Sequence, residues 1–268
     1  MTSSSLLTQL LQHLGYEIPI DPSELLSVTL KAFSRVPYEN LSKILRTHES
    51  GGGTPKESPE DVIRGFISCG TGGTCFPLTR TLVFFLNSIG YEAHPILADR
   101  RYGTDTHCAV IFRSRGCPWQ LLDPGYLIYT PCPIPSVGST RLELPLNPIK
   151  LVLSDCRSRL DLFTLRASEH GTLEARYRLT YKLAPVDEPE FHHAWDRSFS
   201  WEMMRYPVAS MLVGEEQVYL QKNSLLIRSR TDSTRIQLSP EQMSHELGRK
   251  LGMEPRIIRT ALGILQGV

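Results

Sequence analysis

The sequence predicts a mixed α+β protein in which a helical bundle comes first, an antiparallel sheet or barrel second, and an α/β segment last. Three observations carry that expectation. Apolar residues recur at helical spacing through residues 1–90, and from Tyr91 the period changes to two. The stretch Pro185-Val186-Asp187-Glu188-Pro189 then separates a last part, beginning near Glu190, in which strands give way to helices. With 268 residues there is enough chain for one large domain or a few small ones, and the expected divisions are 1–90, 91–189 and 190–268.

Each helix has a start or stop signal. Leu6, Leu7, Leu10, Leu11 and Leu14 form one apolar stripe that stops at Gly15, a residue suited to the left-handed position closing a helix. Asp21-Pro22-Ser23-Glu24 supplies a capping acid, a first-turn proline and a glutamate three residues after the cap, so a second helix is expected to about Ser34, ended by Val36-Pro37. A loop through Gly51-Gly52-Gly53 follows, and Ser58-Pro59-Glu60-Asp61 restarts a helix to about Phe66. The next helix follows Gly72-Gly73, presents Leu78, Leu82, Phe85, Leu86 and Ile89 on one face, and ends at Gly90.

Short β-rich runs are expected at 91–98, 106–113, 117–123, 149–154, 160–166 and 173–182, with a proline-marked connection of little regular structure around Pro131, Pro133 and Pro135. The last part carries runs at 216–221, 224–229 and 233–238. Ser239-Pro240-Glu241-Gln242 then has the form of a capping box opening a helix to Leu251, and a final helix is expected at 254–265.

Composition removes several function classes. Lys and Arg number 29 against 28 Asp and Glu, a net charge of +1, which lacks the basic footprint of a nucleic-acid binder. With 41% hydrophobic residues the chain is expected to fold rather than remain disordered. Apolar runs fall short of the ~18 residues a membrane-spanning helix needs, and the stretch MTSSSLLTQLLQHLGYE lacks a basic segment before a long apolar one, so a cytoplasmic location without a membrane partner is expected. The six cysteines contain no CxxC pair, so structural zinc is not expected and each thiol is weighed singly.

Cys75 follows Thr71-Gly72-Gly73-Thr74 and falls in the first turn of a predicted helix. Unpaired N–H groups and the helix dipole stabilise a thiolate there, although a free cysteine also serves as a small buried apolar side chain. The runs around His107 and Asp123 flank Ser114-Arg115-Gly116, which reads as a hairpin with a three-residue loop pairing Arg113 with Cys117. That register sets His107 opposite Asp123, or opposite Pro124 with Asp123 a near neighbour if the loop is one residue longer, close enough for a carboxylate to hold an imidazole nitrogen. Taken singly, the histidine suits a surface or satisfied core position and the Asp-Pro-Gly a turn. Together with Cys75 they have the logic of a Cys–His–Asp triad: thiolate nucleophile, proton shuttle and orienting acid.

The order of these residues resembles the arylamine N-acetyltransferase family. The resemblance rests on Leu14-Gly15-Tyr16, on Val36-Pro37-Tyr38-Glu39-Asn40-Leu41, on Gly-Gly-x-Cys at 72–75, on Thr106-His107, and on Leu122-Asp123 with Gly125, in that order over nearly the whole chain. It implies a cysteine-proteinase-like arrangement of helical bundle, β-barrel and α/β lid. It also implies Cys75 as acyl-accepting nucleophile, His107 as base, Asp123 as orienting acid, and Tyr38 and Tyr126 near the acceptor pocket. The implied reaction is ping-pong, from acetyl-CoA or another acyl thioester through the cysteine to a small-molecule amine, with no permanently bound cofactor and no metal. Within the same logic, the alternatives are an amide synthase fed by an acyl carrier protein, a hydrolase, or an inactive binding module.

The chain departs from the family at several places. Thr71 stands where the family has arginine, so a buried Glu39 is expected to need another cation such as Arg64 or Arg80, or a protonated carboxyl. Pro77 replaces a glutamate but fits a first helical turn. Pro124-Gly125-Tyr126-Leu127 replaces the family's loop after the acid. The aromatics Phe191, Trp195, Phe199 and Trp201 read as core before pocket, His192-His193 as surface before metal, and Gly51-Gly52-Gly53 as a loop before a phosphate cradle. Cys69 is a minor candidate for a resolving thiol.

Overall fold

The structure, a computed structural model, describes residues 3–19, 21–167 and 173–267; Met1 and Thr2, part of the stretch read for a leader, lie outside it. Among the described residues, the first ninety form helices α1 (Ser3–His13), α2 (Pro22–Phe33), α3 (Leu41–Glu49), α4 (Pro59–Cys69) and α5 (Cys75–Ser88), with a two-residue strand β1 (Tyr38–Glu39). The capping signals act as expected: the Asp21 carboxylate accepts from Glu24 N at 3.4 Å, and Ser58 and Asp61 close a reciprocal box. Gly15 and Gly90 take the left-handed conformation.

Helix α3 was not expected from the sequence. Its apolar content is limited to Leu41, Ile44 and Leu45, a spacing that marks a helix only when a partner covers it. The partner is distant in the chain, because Leu41 lies in the core of the C-terminal part and α3 packs on its last helix.

Strands β2 (Glu92–Arg100), β3 (Gly103–Arg113), β4 (Gln120–Asp123), β5 (Ile128–Pro133), β6 (Ser139–Leu142), β7 (Ile149–Leu153), β8 (Arg159–Ala167) and β9 (Leu173–Lys182) form one antiparallel sheet, in the order β5-β4-β3-β2-β9-β8-β7-β6. The sheet curls around its own core, in which Leu121 and Cys132 from one edge meet Ile149 and Leu151 from the other. Alternation along β3 divides two cores: Cys108, Val110 and Phe112 face the helices, and Ala109 and Ile111 face the barrel interior.

Two expectations are corrected here. The prolines at 131 and 133 lie inside β5 rather than in an irregular connection; β5 is the sheet's edge, where a missing N–H costs no ladder bond. The hairpin register also differs by two residues, with Val110 opposite Leu122 and Phe112 opposite Gln120. Cys117 N is used in the turn, donating to Ser114 O at 3.0 Å, and Pro118 has no N–H to offer, so the strand resumes at Gln120. Because the shift is even, His107 and Asp123 keep the same face and meet on a diagonal instead of directly.

The C-terminal part contains α6 (Glu188–Arg197), β10 (Val208–Val213), β11 (Glu216–Gln221), β12 (Ser224–Arg228), β13 (Ser233–Gln237), α7 (Pro240–Leu251) and α8 (Pro255–Gln266). Helix α6 and strand β10 are additions to the sequence expectation. The second sheet runs β1-β10-β11-β12-β13, so Tyr38 and Glu39 pair with Ser210 and Ala209 from the far end of the chain. No helix among the described residues is long and apolar enough to cross a membrane.

Candidate active site

The segment leading to Cys75 is held by backbone contacts that only glycine permits. Gly73 N donates to Pro37 O at 3.2 Å and Glu39 N donates to Gly73 O at 3.0 Å. A Cβ on Gly72 would lie 1.8 Å from Pro37 O, so a side chain there is excluded by backbone. The strand formed by Tyr38 and Glu39 thus grips the chain just before it enters α5. Thr74 flanks the helix and Cys75 is its first residue, in the first-turn position expected from the sequence. Pro77, third in the helix, lacks an N–H that would have had no intrahelical acceptor.

Glu39 is fully buried, yet neither Arg64 nor Arg80 compensates it; these arginines pair with Glu60 and Glu188. Its carboxylate accepts from Ser42 N at 2.9 Å, Ser42 Oγ at 2.5 Å and Gly72 N at 3.0 Å. Glu39 is thus met by a hydroxyl and two backbone donors rather than by a cation, one of them in the first turn of α3, where the helix dipole favours negative charge. Glu39 in turn positions the glycine loop.

His107 and Asp123 come together as the sequence indicates, both fully buried, with His107 Nε2 2.7 Å from Asp123 Oδ2. The tautomer follows from the partners. A carboxylate accepts, so Nε2 carries a proton in either charge state and Nδ1 is the nitrogen that gains or loses one. Two further donors hold Asp123: Tyr181 Oη donates to Oδ2 at 2.6 Å, and Tyr126 N donates to Oδ1 at 3.0 Å from the 3₁₀ turn Pro124–Tyr126. Gly125 lies against all three residues of the expected triad. A Cβ there would sit 2.6 Å from His107 Cε1, 3.3 Å from Cys75 Cβ and 3.4 Å from Asp123 Oδ1.

The electrostatics favour a charged thiolate. The Cys75 thiol is held well below the ordinary range by a hydrogen bond from Cys108 and by the hydrogen bond and charge of His107, with Arg100 adding to them, and together these outweigh burial. Burial pulls His107 down, but the Asp123 charge and the hydrogen bonds to Asp123 and Cys75 raise it above the usual imidazole value. Both shifts point the same way, toward a thiolate beside an imidazolium. Burial pushes Cys108 well above the thiol range, so it stays protonated as a donor.

A cavity of about 640 Å³ opens beside these residues, bounded by Gly125, Tyr126 and Arg100 from the barrel and by Tyr38 and Tyr219 from the second sheet. Tyr38 and Tyr126, expected near the acceptor pocket, both line it. The Tyr126 ring stands edge-on to His107 with centroids 5.2 Å apart, and Tyr38 Oη donates to Met203 Sδ at 3.9 Å.

Sequence reading missed three neighbours of the triad: Tyr181, Cys108 and Arg100. Ala98 on β2 pairs with His107 on one side and Tyr181 on the other, so the sheet delivers Tyr181 into the row; nothing near Asp123 in sequence announces it. Cys108 follows His107 and faces α5, a placement that alternation along the strand would have given. It is Cys108 that acts on the Cys75 thiol, lowering its pKa, whereas Cys69 is the last residue of α4 and half-exposed.

Of the four aromatic residues weighed in the sequence, Phe191 and Trp195 are core and Phe199 and Trp201 are partly buried against it. Phe191 and Trp195 pack on Phe76 with centroids 5.3 and 6.0 Å away, Trp201 packs on the same ring at 6.0 Å, and Lys43 Nζ lies 4.0 Å from the Phe199 ring centroid. None of these four lines the cavity. Among the described residues no group of three or more His, Cys, Asp or Glu is placed to hold a metal ion.

Comparison with known proteins gives one consistent result. No family model matches the sequence and no curated protein matches it. Solved structures do. An arylamine N-acetyltransferase of Mycobacterium marinum in complex with CoA superposes with a TM-score of 0.80 at 17% identity, covering 97% of this chain and 99% of that one. The arylamine N-acetyltransferase of M. tuberculosis gives 0.79 at 17% identity over 97% and 98% of the two chains. An arylamine N-acetyltransferase from Bacillus cereus, described as having a Cys-His-Glu catalytic triad, gives 0.74 at 18% identity over 95% and 100%. The chain has the arylamine N-acetyltransferase fold, a mixed α+β architecture with a barrel-like antiparallel sheet, as the resemblance in its sequence implies.

Proposed function

We propose that the protein is an acyltransferase that moves an acyl group from a thioester, with acetyl-CoA or another acyl-CoA as donor, through Cys75 to a small-molecule amine. The observation that carries this reading is the convergence of Cys75, His107 and Asp123 around Gly125, which lines one cavity. In this reading residues 1–90 supply the nucleophile, 91–189 the base and acid, and 190–268 the second wall of the cavity. The CoA complex of the M. marinum protein supports the choice of donor class.

The chemistry follows from the protonation states. The Cys75 thiolate attacks the thioester carbonyl carbon, forming a C–S bond and an oxyanion; backbone N–H groups in the first turn of α5, which have no intrahelical acceptors, are the available donors for that oxyanion. Collapse breaks the donor's C–S bond, and the departing thiolate takes a proton from the His107 imidazolium. An amine nitrogen then attacks the acyl carbon of the cysteine thioester and loses a proton to His107 Nδ1. The C–N bond forms, the bond to the Cys75 sulfur breaks, and the thiolate–imidazolium pair is restored. Asp123 stabilises the imidazolium and fixes the ring throughout.

Two half-reactions that share one cysteine dictate the kinetics. Initial rates measured at several thioester and amine concentrations should give parallel double-reciprocal lines. Intersecting lines would show that both substrates must be bound together and would contradict the ping-pong order.

A further inference from the structure

Among the described residues, Arg100 is the one cation that touches the triad. It stands at the end of β2, just after a bulge between Ala98 and Arg100, with Nη2 3.1 Å from His107 Nδ1 and Nη1 donating to Tyr102 Oη at 2.6 Å. Its Nε is buried and has no hydrogen-bond partner, and its guanidinium carbon lies 5.5 Å from the Tyr126 ring centroid. No carboxylate pairs with it among the described residues. The rest of the cavity has the same character. Arg101, Arg166, Arg176, Arg178 and Arg228 line it with Arg100, no Asp or Glu does, and none of the six arginines makes an ion pair among the described residues. A partly desolvated guanidinium with unused donors is matched by an anion, and a planar carboxylate matches its fork best.

The contact with His107 adds a mechanical consequence. Arginine can only donate, so Nδ1 accepts in that contact while the imidazole is neutral, and the same lone pair takes the thiol or amine proton; once Nδ1 is protonated the guanidinium opposes it. An anion that draws the guanidinium away from Nδ1 relieves that opposition and favours the protonated imidazole.

We propose that Arg100 is a specificity-determining residue that binds a carboxylate of the substrate beside Cys75. The inference rests on the acyl-transfer reading only in naming the two places such a carboxylate can sit, the acyl group of the thioester or the amine acceptor. Its first test needs no acyl transfer. Iodoacetate and iodoacetamide alkylate the same sulfur and differ in a carboxylate against a neutral amide, so their rate ratio at Cys75 reports the anion site. With six cysteines in the chain the rates are read by peptide mass.

The ratio of iodoacetate to iodoacetamide rates at Cys75 should exceed that of a free thiol such as N-acetylcysteine by about 10-fold or more, the worth of one charged hydrogen bond. Arg100→Gln should bring the ratio to the free-thiol value, and Arg100→Lys should keep part of it. A wild-type ratio equal to that of the free thiol overturns the proposal without any variant, and so does an unchanged ratio in folded Arg100→Gln.

The sources are then separated by comparing ω-carboxyacyl with neutral acyl-CoA thioesters in Cys75 acylation, and amino-carboxylates with neutral arylamines in the transfer step. Preference in the first comparison places the carboxylate on the acyl group, and preference in the second places it on the acceptor. Acylation and transfer without preference in either overturn the proposal while the acyl-transfer reading stands. An Arg100-dependent alkylation ratio with no acylation by any thioester supports the anion site and counts against the acyl-transfer reading.

Discussion

Asp123→Asn is expected to lower acyl transfer by about 10³- to 10⁴-fold, the order seen when the orienting acid of a triad becomes an amide. The cause lies in the three donors that converge on this carboxylate. His107 Nε2 and Tyr181 Oη meet Oδ2, and Tyr126 N meets Oδ1. An amide satisfies only one side. With its oxygen toward Tyr126 N, its NH₂ faces the imidazole, which must present a lone pair at Nε2 and carry its proton on Nδ1. That tautomer cannot take a proton from Cys75 and also opposes the Arg100 N–H 3.1 Å away. With the amide reversed, the NH₂ confronts Tyr126 N–H, and the imidazolium has lost its counter-charge. Steady-state kinetics, with circular dichroism to confirm folding, test this; a folded variant within tenfold of wild type would contradict it.

Gly72→Ala is expected to destabilise the protein by about 3 kcal/mol, at the upper end of overpacking effects. The clash is with backbone: the new Cβ would lie 1.8 Å from Pro37 O and 2.8 Å from Pro37 C, so no side-chain rotation relieves it. Relief requires moving the 36–40 segment away from the glycine loop, which breaks the bonds from Gly73 N to Pro37 O and from Gly72 N to Glu39. Cys75 begins only three residues later, so its reactivity falls with the stability. For a chain of this size the midpoint of thermal unfolding should drop by roughly 6–12 °C. A midpoint within a degree of wild type, together with unchanged Cys75 alkylation, would show that the loop is not the rigid approach described.

Much of the site was legible because its signals are local. A glycine pair followed by an apolar helical stripe placed Cys75 at the start of α5, and the two β-rich runs around a short turn placed His107 and Asp123 on one face. The register error came from counting Cys117 and Pro118 as strand, where proline has no N–H and the cysteine N–H serves the turn. It did little harm because a shift of two conserves the face. What was not legible depends on distant pairing. Tyr181 reaches Asp123 through β2, β1 exists only because β10 covers it, and α3 holds because the C-terminal core receives Leu41. Glu39 shows the same limit: nothing local in the sequence shows that backbone donors meet its carboxylate, because one of them depends on the close approach of the loop at Gly72.

The most direct measurement is the intact mass of the protein after brief incubation with acetyl-CoA and a small panel of longer acyl thioesters, with Cys75→Ala alongside. Peptide mapping is part of it, because Cys156 is exposed and hydrogen bonds from Ser154 and Ser158 bring its pKa down to about 7. One acyl group on Cys75, absent from the alanine variant and discharged by an amine, is the expected result. No acyl group from any thioester on a folded protein with its thiol intact, or an adduct that persists in Cys75→Ala, would contradict Cys75 as the acyl carrier.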